Sequence, residues 1–363
     1  MKTLILQFGS ALLYGTAGFC IFMILLNRAL ILIADSKAKN IIIMLAFATL
    51  IGCGAIFGFT FYQLPFILIP TALLCLILLG EVRRAFIRHS YAGSPPIDTT
   101  PHKFNITKPI TTTDLVTHRY EVAHPEWSGT PLRIVHLTDL HINSSLPLNY
   151  YKQVLTVAEQ ANPDIAVFTG DFISNIDALP RLREILRPIA KLKTYAVLGN
   201  HDYWTDANAV RKIIQENKLH LLSNETVILP IANSNIAITG YDNPWGTKET
   251  HIPSQENSML HMVLSHTPDN IYRISKSSAD FVFSGHYHAG QFRAPMIGSI
   301  VIPSVYGRRF DHGHFIINNT HLFVASGIGA GDPPLRIYCQ PDIFIVDVIS
   351  EEKDPGIRAI EQK

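Results

Sequence analysis

A chain of 363 residues with a net charge of only +1 has room for two or three domains and carries no bulk charge that points to nucleic acid. Its hydrophobic fraction of 47% against 16% charged residues conceals an uneven distribution, because the long apolar stretches gather at the amino terminus. Of the four cysteines, Cys20, Cys53 and Cys75 lie in apolar stretches and Cys339 stands alone, which excludes a disulfide framework and a cysteine metal site.

Three apolar stretches read as membrane spans: Leu4–Leu26, Ile41–Tyr62 and Phe66–Leu79. A helix needs about 20 apolar residues to cross the hydrocarbon. The first two meet that length; the third is short, and Pro65 and Pro70 weaken its opening turns. Cytoplasmic flanks carry the excess of Lys and Arg. Arg28, Lys37 and Lys39 separate the first two stretches, and Arg83, Arg84 and Arg88 follow the third. With three spans both basic segments fall on one side, so the expected arrangement is an integral cell (inner) membrane protein whose soluble part faces the cytoplasm. No small-x-small site closes the first stretch, which argues against a cleaved signal peptide.

The expected domains are a transmembrane region over 1–89, a linker over 90–114, a soluble domain over 115–350 and a polar tail over 351–363. Gly93-Ser94-Pro95-Pro96 opens the linker. Leu115–Val122 and Leu132–Leu137 then read as a hairpin. Beyond them, strand candidates at Ile134–Leu137, Ile165–Thr169, Tyr195–Leu198, Ile236–Thr239, Met262–Leu264 and Phe281–Phe283 alternate with helical patterns. The helices are expected at Leu148–Gln160, Ala178–Lys191, Asp206–Asn217 and Pro268–Ile274. Such alternation predicts a layered α/β domain. After Ile300 the runs Val301-Ile302, His321–Ala325, Arg336–Tyr338 and Ile343–Val348 suggest antiparallel strands completing a second sheet.

Five short motifs follow strand candidates in a fixed order: Asp139-Leu140-His141, Gly170-Asp171, Gly199-Asn200-His201-Asp202, Ser265-His266 and Gly285-His286-Tyr287-His288. Ligands of open α/β sheets gather beyond the carboxyl ends of strands. Carboxylates, imidazoles and an amide arriving together there suit two metal ions held side by side, and a donor set without thiolate suits Mn, Fe or Zn. Asp139 and His141, two residues apart, would point the same way from an extended segment. Glycines at 170, 199 and 285 let the backbone turn beside the metals. Each motif alone is weak; the ordered set is not.

Other eye-catching residues have plainer explanations. His136 lies within a strand run and reads as packed or edge-facing. His312 and His314 form another His-x-His but sit on a loop and read as non-ligands. Arg308 and Arg309 are candidates to hold a substrate phosphate, or are simply solvated. Tyr203-Trp204 forms a wall of the site or packs plainly.

The ordered set resembles the calcineurin-like metallophosphoesterase superfamily, with its Asp-x-His, Gly-Asp, Gly-Asn-His-Asp, His and Gly-His-x-His signature. The resemblance covers about residues 115–349 and includes Gly290-Gln291 and Ser326-Gly327-Ile328-Gly329, typical of a subgroup with membrane-attached bacterial enzymes. One small departure is Ala289, where that subgroup often has glycine. The resemblance implies a β-sandwich flanked by helices. It implies one divalent ion on Asp139, His141, Asp171 and His288, and a second on Asp171, Asn200, His266 and His286, with Asp171 bridging. It implies that His201 stabilises the phosphoryl oxygens or protonates the leaving oxygen, and that Asp202 orients His201 or a ligand. A hydroxide between the ions would attack phosphorus in line.

The expected reaction is therefore hydrolysis of a phosphoester or anhydride, with two divalent ions, manganese favoured. A membrane anchor fits an amphiphilic substrate, and related members cleave the diphosphate of UDP-2,3-diacylglucosamine in lipid A assembly. Apolar residues around Ala294-Pro295-Met296-Ile297 and Ile300–Val305 would then receive acyl chains, or serve as strands of the second sheet. Two alternatives stand beside this one: a phosphodiesterase on a soluble substrate with the spans serving only for location, and an inactive membrane scaffold or sensor.

Overall fold

The computed structural model describes residues 1–29, 36–101, 105–128, 130–231, 234–246, 252 and 259–351. They form two compact units, one of Met1–Tyr91 with Val301–Phe310, the other of Ala92–Ile300 with the chain from Asp311 onward.

In the first unit three helices, Lys2–Arg28, Lys37–Thr60 and Leu64–Ser90, are long and apolar enough to cross a membrane. Large side chains such as Leu12, Met44 and Leu76 face outward on them, a surface suited to lipid. Small residues let the helices approach closely. A Cβ at Gly18 would meet the Leu50 carbonyl at 2.0 Å. The third helix is much longer than the Phe66–Leu79 stretch. Pro65 lies in its first turn, where no backbone donor is lost. Residues 301–310 belong to this unit by more than chain connectivity. The Ile302 N–H donates to Asn27 Oδ1 at 3.0 Å, and Arg308 pairs with Glu81. Val301-Ile302 is therefore not a strand, because its backbone donor is taken by a helix end.

The second unit is a sandwich of two sheets whose strands are numbered in chain order. One sheet runs β1 (Asp98–Thr100), β2 (Val116–His124), β15 (Asp342–Ser350), β3 (Leu132–Leu137), β4 (Ile165–Thr169), β5 (Thr194–Val197) and β6 (His220–Leu221). The other runs β13 (Gly313–Ile317), β14 (Thr320–Val324), β10 (Phe281–Ser284), β9 (Leu260–Ser265), β8 (Ser234–Tyr241) and β7 (Thr226–Ile231). A small ribbon pairs β11 (Arg293–Ala294) with β12 (Gly298–Ser299). Alternation along the strands splits the core in two. Ile134, Val167 and Val197 meet Met262, Phe283 and Phe323 between the sheets. Val135, Phe168 and Ala196 face the other way, against Tyr151, Leu182 and Ile213 of the covering helices.

Several expectations change in the folded chain. β2 and β3 are not a hairpin, because β15 inserts between them, parallel to β2 and antiparallel to β3. Its Phe344, Val346 and Val348 are fully buried in the inter-sheet core, so a central position satisfies them better than a sheet edge. The carboxy-terminal strands are thus divided between the sheets, and β14 runs parallel to β10. Arg336–Tyr338 makes only isolated bridges through Ile337. The helix expected over Ala178–Lys191 stops at Leu186 and resumes as a short 3-10 turn from Pro188 to Lys191, since Pro188 lacks the donor that would continue it. The 90–114 segment supplies the edge strand β1 and a bond from the Gly93 N–H to the His314 carbonyl.

Candidate metal centre

β3, β4 and β5 run parallel to one another, as do β8, β9 and β10. Their carboxyl ends therefore open on one edge of each sheet. Asp139, Asp171, Asn200, His266 and His286 emerge there within a few residues of the last strand position. The ligand atoms of Asp139, His141, Asp171 and His288 all lie within 4.8 Å of one another, and so do those of Asp171, His266 and His286. Asp171 is common to both groups. Asn200 joins the second, with Oδ1 3.1 Å from His266 Nε2.

Backbone conformation brings these groups to a point. Asp139, His141, Asp171, His286 and His288, five of the seven candidate ligands, have φ between 41° and 66°. Side-chain-bearing residues rarely adopt this region, and such outliers concentrate at functional sites. Asp139 and His141 thus converge through two left-handed residues and not through the alternation of an extended strand. Gly170 is also left-handed, at φ 93°. Gly199 is not; it is needed for close approach, since a Cβ there would stand 2.2 Å from Asp171 Oδ1.

Neighbouring groups fix each donor. His266 Nδ1 lies 2.6 Å from the Thr169 carbonyl, which can only accept, so Nε2 is left facing Asp171 Oδ2 at 3.3 Å. His141 Nδ1 lies 3.2 Å from Ser174 Oγ, and its Nε2 lies 3.3 Å from Asp171 Oδ2 and 2.9 Å from His288 Nε2. The Thr138 hydroxyl and the His286 N–H donate to Asp139 Oδ2. Two donors each about 2.1 Å from one ion and roughly at right angles stand close to 3 Å apart, which is the scale of these separations.

Charge makes the same point. Asp139 and Asp171 are both buried, and among the described residues their ion-pair partners are imidazoles, not Lys or Arg. Burial alone would raise Asp171, but His266, His141 and His201 hold its carboxyl well below the usual range. Burial would lower His266, yet the field of Asp171 pushes it up to about 9. Burial and the neighbouring His266 push His286 down to about 3, leaving a neutral imidazole. Burial pushes the Asp139 carboxyl up; the Asp171 carboxylate, which draws positive charge, beside the neutral His286 imidazole fits divalent cations.

His201 stands at the rim, half-buried, with its ring 4.7 Å from that of His141 and 5.1 Å from that of Trp204. Trp204 is largely exposed. Asp202 ties backbone groups of two loops together. It is fully buried, and its carboxylate accepts the backbone N–H groups of Phe172, Ile173 and Gly199. His136 is buried, packed against Phe283, with Nε2 bonded to Thr169 Oγ1. Arg308 and Arg309 lie in the first unit, where Arg308 pairs with Glu81 and Arg309 stacks over Tyr306.

Two neighbours of the centre escaped the sequence. Trp245 packs its ring 5.0 Å from His286 and 5.5 Å from His266. It follows β8, so a sixth strand end was the available signal. Arg336 is completely buried and, among the described residues, has no carboxylate partner; it donates to the carbonyls of Ser326, Gly327 and Gly329 and lies 3.4 Å from His288 Nδ1. No local pattern marks such a residue.

Residues 132–290 are a calcineurin-like phosphoesterase domain, matching the model of that family over this whole span. The family works with two divalent metals, and the chain is a metal-dependent hydrolase whose His and Asp cluster could hold metal ions. Among its bacterial relatives is the metallophosphoesterase YkuE of Bacillus subtilis, 28% identical over 259 residues, covering 68% of this chain and 85% of the relative. Phosphodiesterase YaeI of Escherichia coli is 25% identical over 65% of this chain and 88% of its own length. The UDP-2,3-diacylglucosamine pyrophosphatase LpxG of Chlamydia muridarum is 26% identical over 61% of this chain and 84% of its own.

Proposed function

We propose that this protein is a membrane-anchored phosphoesterase that uses two divalent ions, manganese favoured, to hydrolyse a phosphodiester or pyrophosphate at the cytoplasmic face of the cell membrane. Its substrate in this proposal is a lipid-linked diphosphate such as UDP-2,3-diacylglucosamine. The observation that carries the chemistry is the pair of ligand groups sharing Asp171. Three span-length helices in the same chain favour an amphiphilic substrate, because tethering raises the local concentration of enzyme at the surface. The name of the LpxG relative supplies the specific candidate.

Asp139, His141, Asp171 and His288 would hold one ion, and Asp171, Asn200, His266 and His286 the other. When bound, the pair supplies Lewis acidity toward the phosphoryl oxygens and an activated water nucleophile. The chain does the rest. Thr169, Ser174 and Thr138 fix the faces that the ligands present. The His201 imidazole, at the rim beside His141, would donate a ring proton to the phosphoryl or leaving oxygen. Asp202 holds the two loops that carry Asp171 and Asn200 in register. Trp204 and Trp245 would wall the substrate.

Incubation of the full chain and Mn with UDP-2,3-diacylglucosamine should release UMP; absence of UMP rejects that substrate. The name of the YaeI relative favours a second reading, a simple phosphodiester. Faster turnover of a soluble phosphodiester than of the lipid would support it.

A further inference from the structure

The second unit holds another cluster of metal-ligating side chains, separate from the Asp171 centre. His118 lies in β2, Asp342 opens β15, and His312 precedes β13. His312 Nε2 is 2.6 Å from Asp342 Oδ2, and His118 Nε2 is 3.8 Å from the same oxygen. The three ligand atoms lie within 4.8 Å of one another. Both imidazoles present Nε2 to one carboxylate oxygen, while Asp342 Oδ1 accepts the Ser326 N–H at 2.8 Å. His118 Nδ1 lies 3.0 Å from Thr99 Oγ1, which fixes its ring.

We propose that His118, His312 and Asp342 form a third metal site, taking a single borderline divalent ion such as zinc. A donor set of two imidazoles and one carboxylate is that of known zinc sites, with a further position left to water. Asp342 is buried, but the side chains of His118 and His312 are 16% and 23% exposed, so an ion and its water have access. The Thr99 and Ser326 contacts are of the kind that orient metal ligands from behind. The edge-to-face packing of both imidazoles on Phe344, at 5.6 Å each, gives the ion an apolar wall.

An ion here would be structural for the neighbouring centre. Besides its carboxylate bond to Ser326, the Asp342 N–H donates to the Gly327 carbonyl. Gly327 backs directly onto Asp139, where an added Cβ would stand 2.6 Å from the Asp139 Cβ. Fixing Asp342 therefore steadies the loop that supports Asp139. The site does not depend on which phosphoester the enzyme cleaves.

The test is metal content of the detergent-purified full chain, stripped with chelator, equilibrated with zinc and dialysed. Wild type should retain a third zinc beyond the two of the Asp171 centre, and the pair His118→Ala with His312→Ala should retain one fewer. Zinc should also raise the melting midpoint of wild type more than that of the double variant. Where the alanine variant fails to fold, His312→Gln, which keeps a hydrogen-bonding group toward Asp342, gives the same comparison. Wild-type saturation at two zinc ions, or equal zinc content in wild type and folded variant, overturns the proposal. Loss of metal in an Asp171→Ala chain, with the His312-dependent zinc retained, would separate the two sites.

Discussion

Asp202 holds Phe172 by the backbone: the carboxylate accepts the Phe172 N–H at 2.9 Å with one oxygen, and the Gly199 N–H at 3.0 Å with the other. One side chain thus ties the loop after β4 to the loop after β5, and those loops carry Asp171 and Asn200. Asp202→Asn retains the shape but cannot accept on both sides. An unsatisfied buried N–H costs about 1–3 kcal/mol, and outer contacts of this kind are worth roughly 10–100-fold in activity or metal affinity. Denaturant unfolding and kcat should both fall within those ranges; an Asn variant with unchanged kcat and stability would show that the bonds do not position the centre.

His201 offers a cleaner separation of chemistry from metal holding. Its ring lies at the rim, and its backbone N–H bonds Asp171. His201→Ala should lower kcat by roughly 10²–10⁴-fold, the range of general acid–base catalysis, while metal content stays at the wild-type level. Loss of metal together with activity would make His201 a ligand instead.

Metal removal should be reversible. Dialysis against chelator should abolish hydrolysis, and added Mn should restore it; activity that survives exhaustive chelation rejects the two-ion chemistry. Asp171→Ala, which removes the carboxylate common to both groups, should not be rescued by any concentration of Mn.

Ala289 has φ 48° and ψ 26°, the left-handed region. That conformation costs a non-glycine residue about 1–2 kcal/mol, against which glycine loses roughly 0.5–1 kcal/mol of chain entropy. Ala289→Gly should therefore stabilise the protein by about 0.5–1 kcal/mol, read as a higher melting midpoint. A lower midpoint would mean that the buried methyl contributes more than the backbone strain costs.

Asp347 governs an acid-sensitive part of the sheet. Its buried carboxylate bonds Arg133 and Arg119. Those hydrogen bonds and charges outweigh burial and hold its carboxyl below the usual range. A depressed folded-state value means stability that is fully present above the unfolded value near 3.9 and lost as pH falls through the lower folded value. Asp347→Asn should cost about 1–3 kcal/mol at neutral pH, and the difference from wild type should shrink below about pH 4. A constant difference down to strongly acid pH would place the effect in packing and not in charge.

Much of the fold was legible because local patterns carry it. Ile165–Thr169 and Leu148–Gln160 form the strand and helix that their apolar periods indicate. Strand ends then located the motifs, and the motifs pointed to the family. The insertion of β15 between β2 and β3 was not legible, since pairing across more than two hundred residues leaves no local trace. Trp245 and Arg336 were missed for a related reason: their importance lies in what they touch.

The sequence by itself determined the order of the Asp139 to His288 motifs, their placement after strands and the first two span-length apolar stretches, because period, length and motif are local properties; the full length of the third helix, Leu64–Ser90, came from the structure. The tertiary structure alone decided how the donors meet. It set the left-handed backbone at five of them, the grip of Asp202 on two loops, and the meeting of His118, His312 and Asp342. These depend on φ values and contacts between distant segments, which only the packed sheets impose.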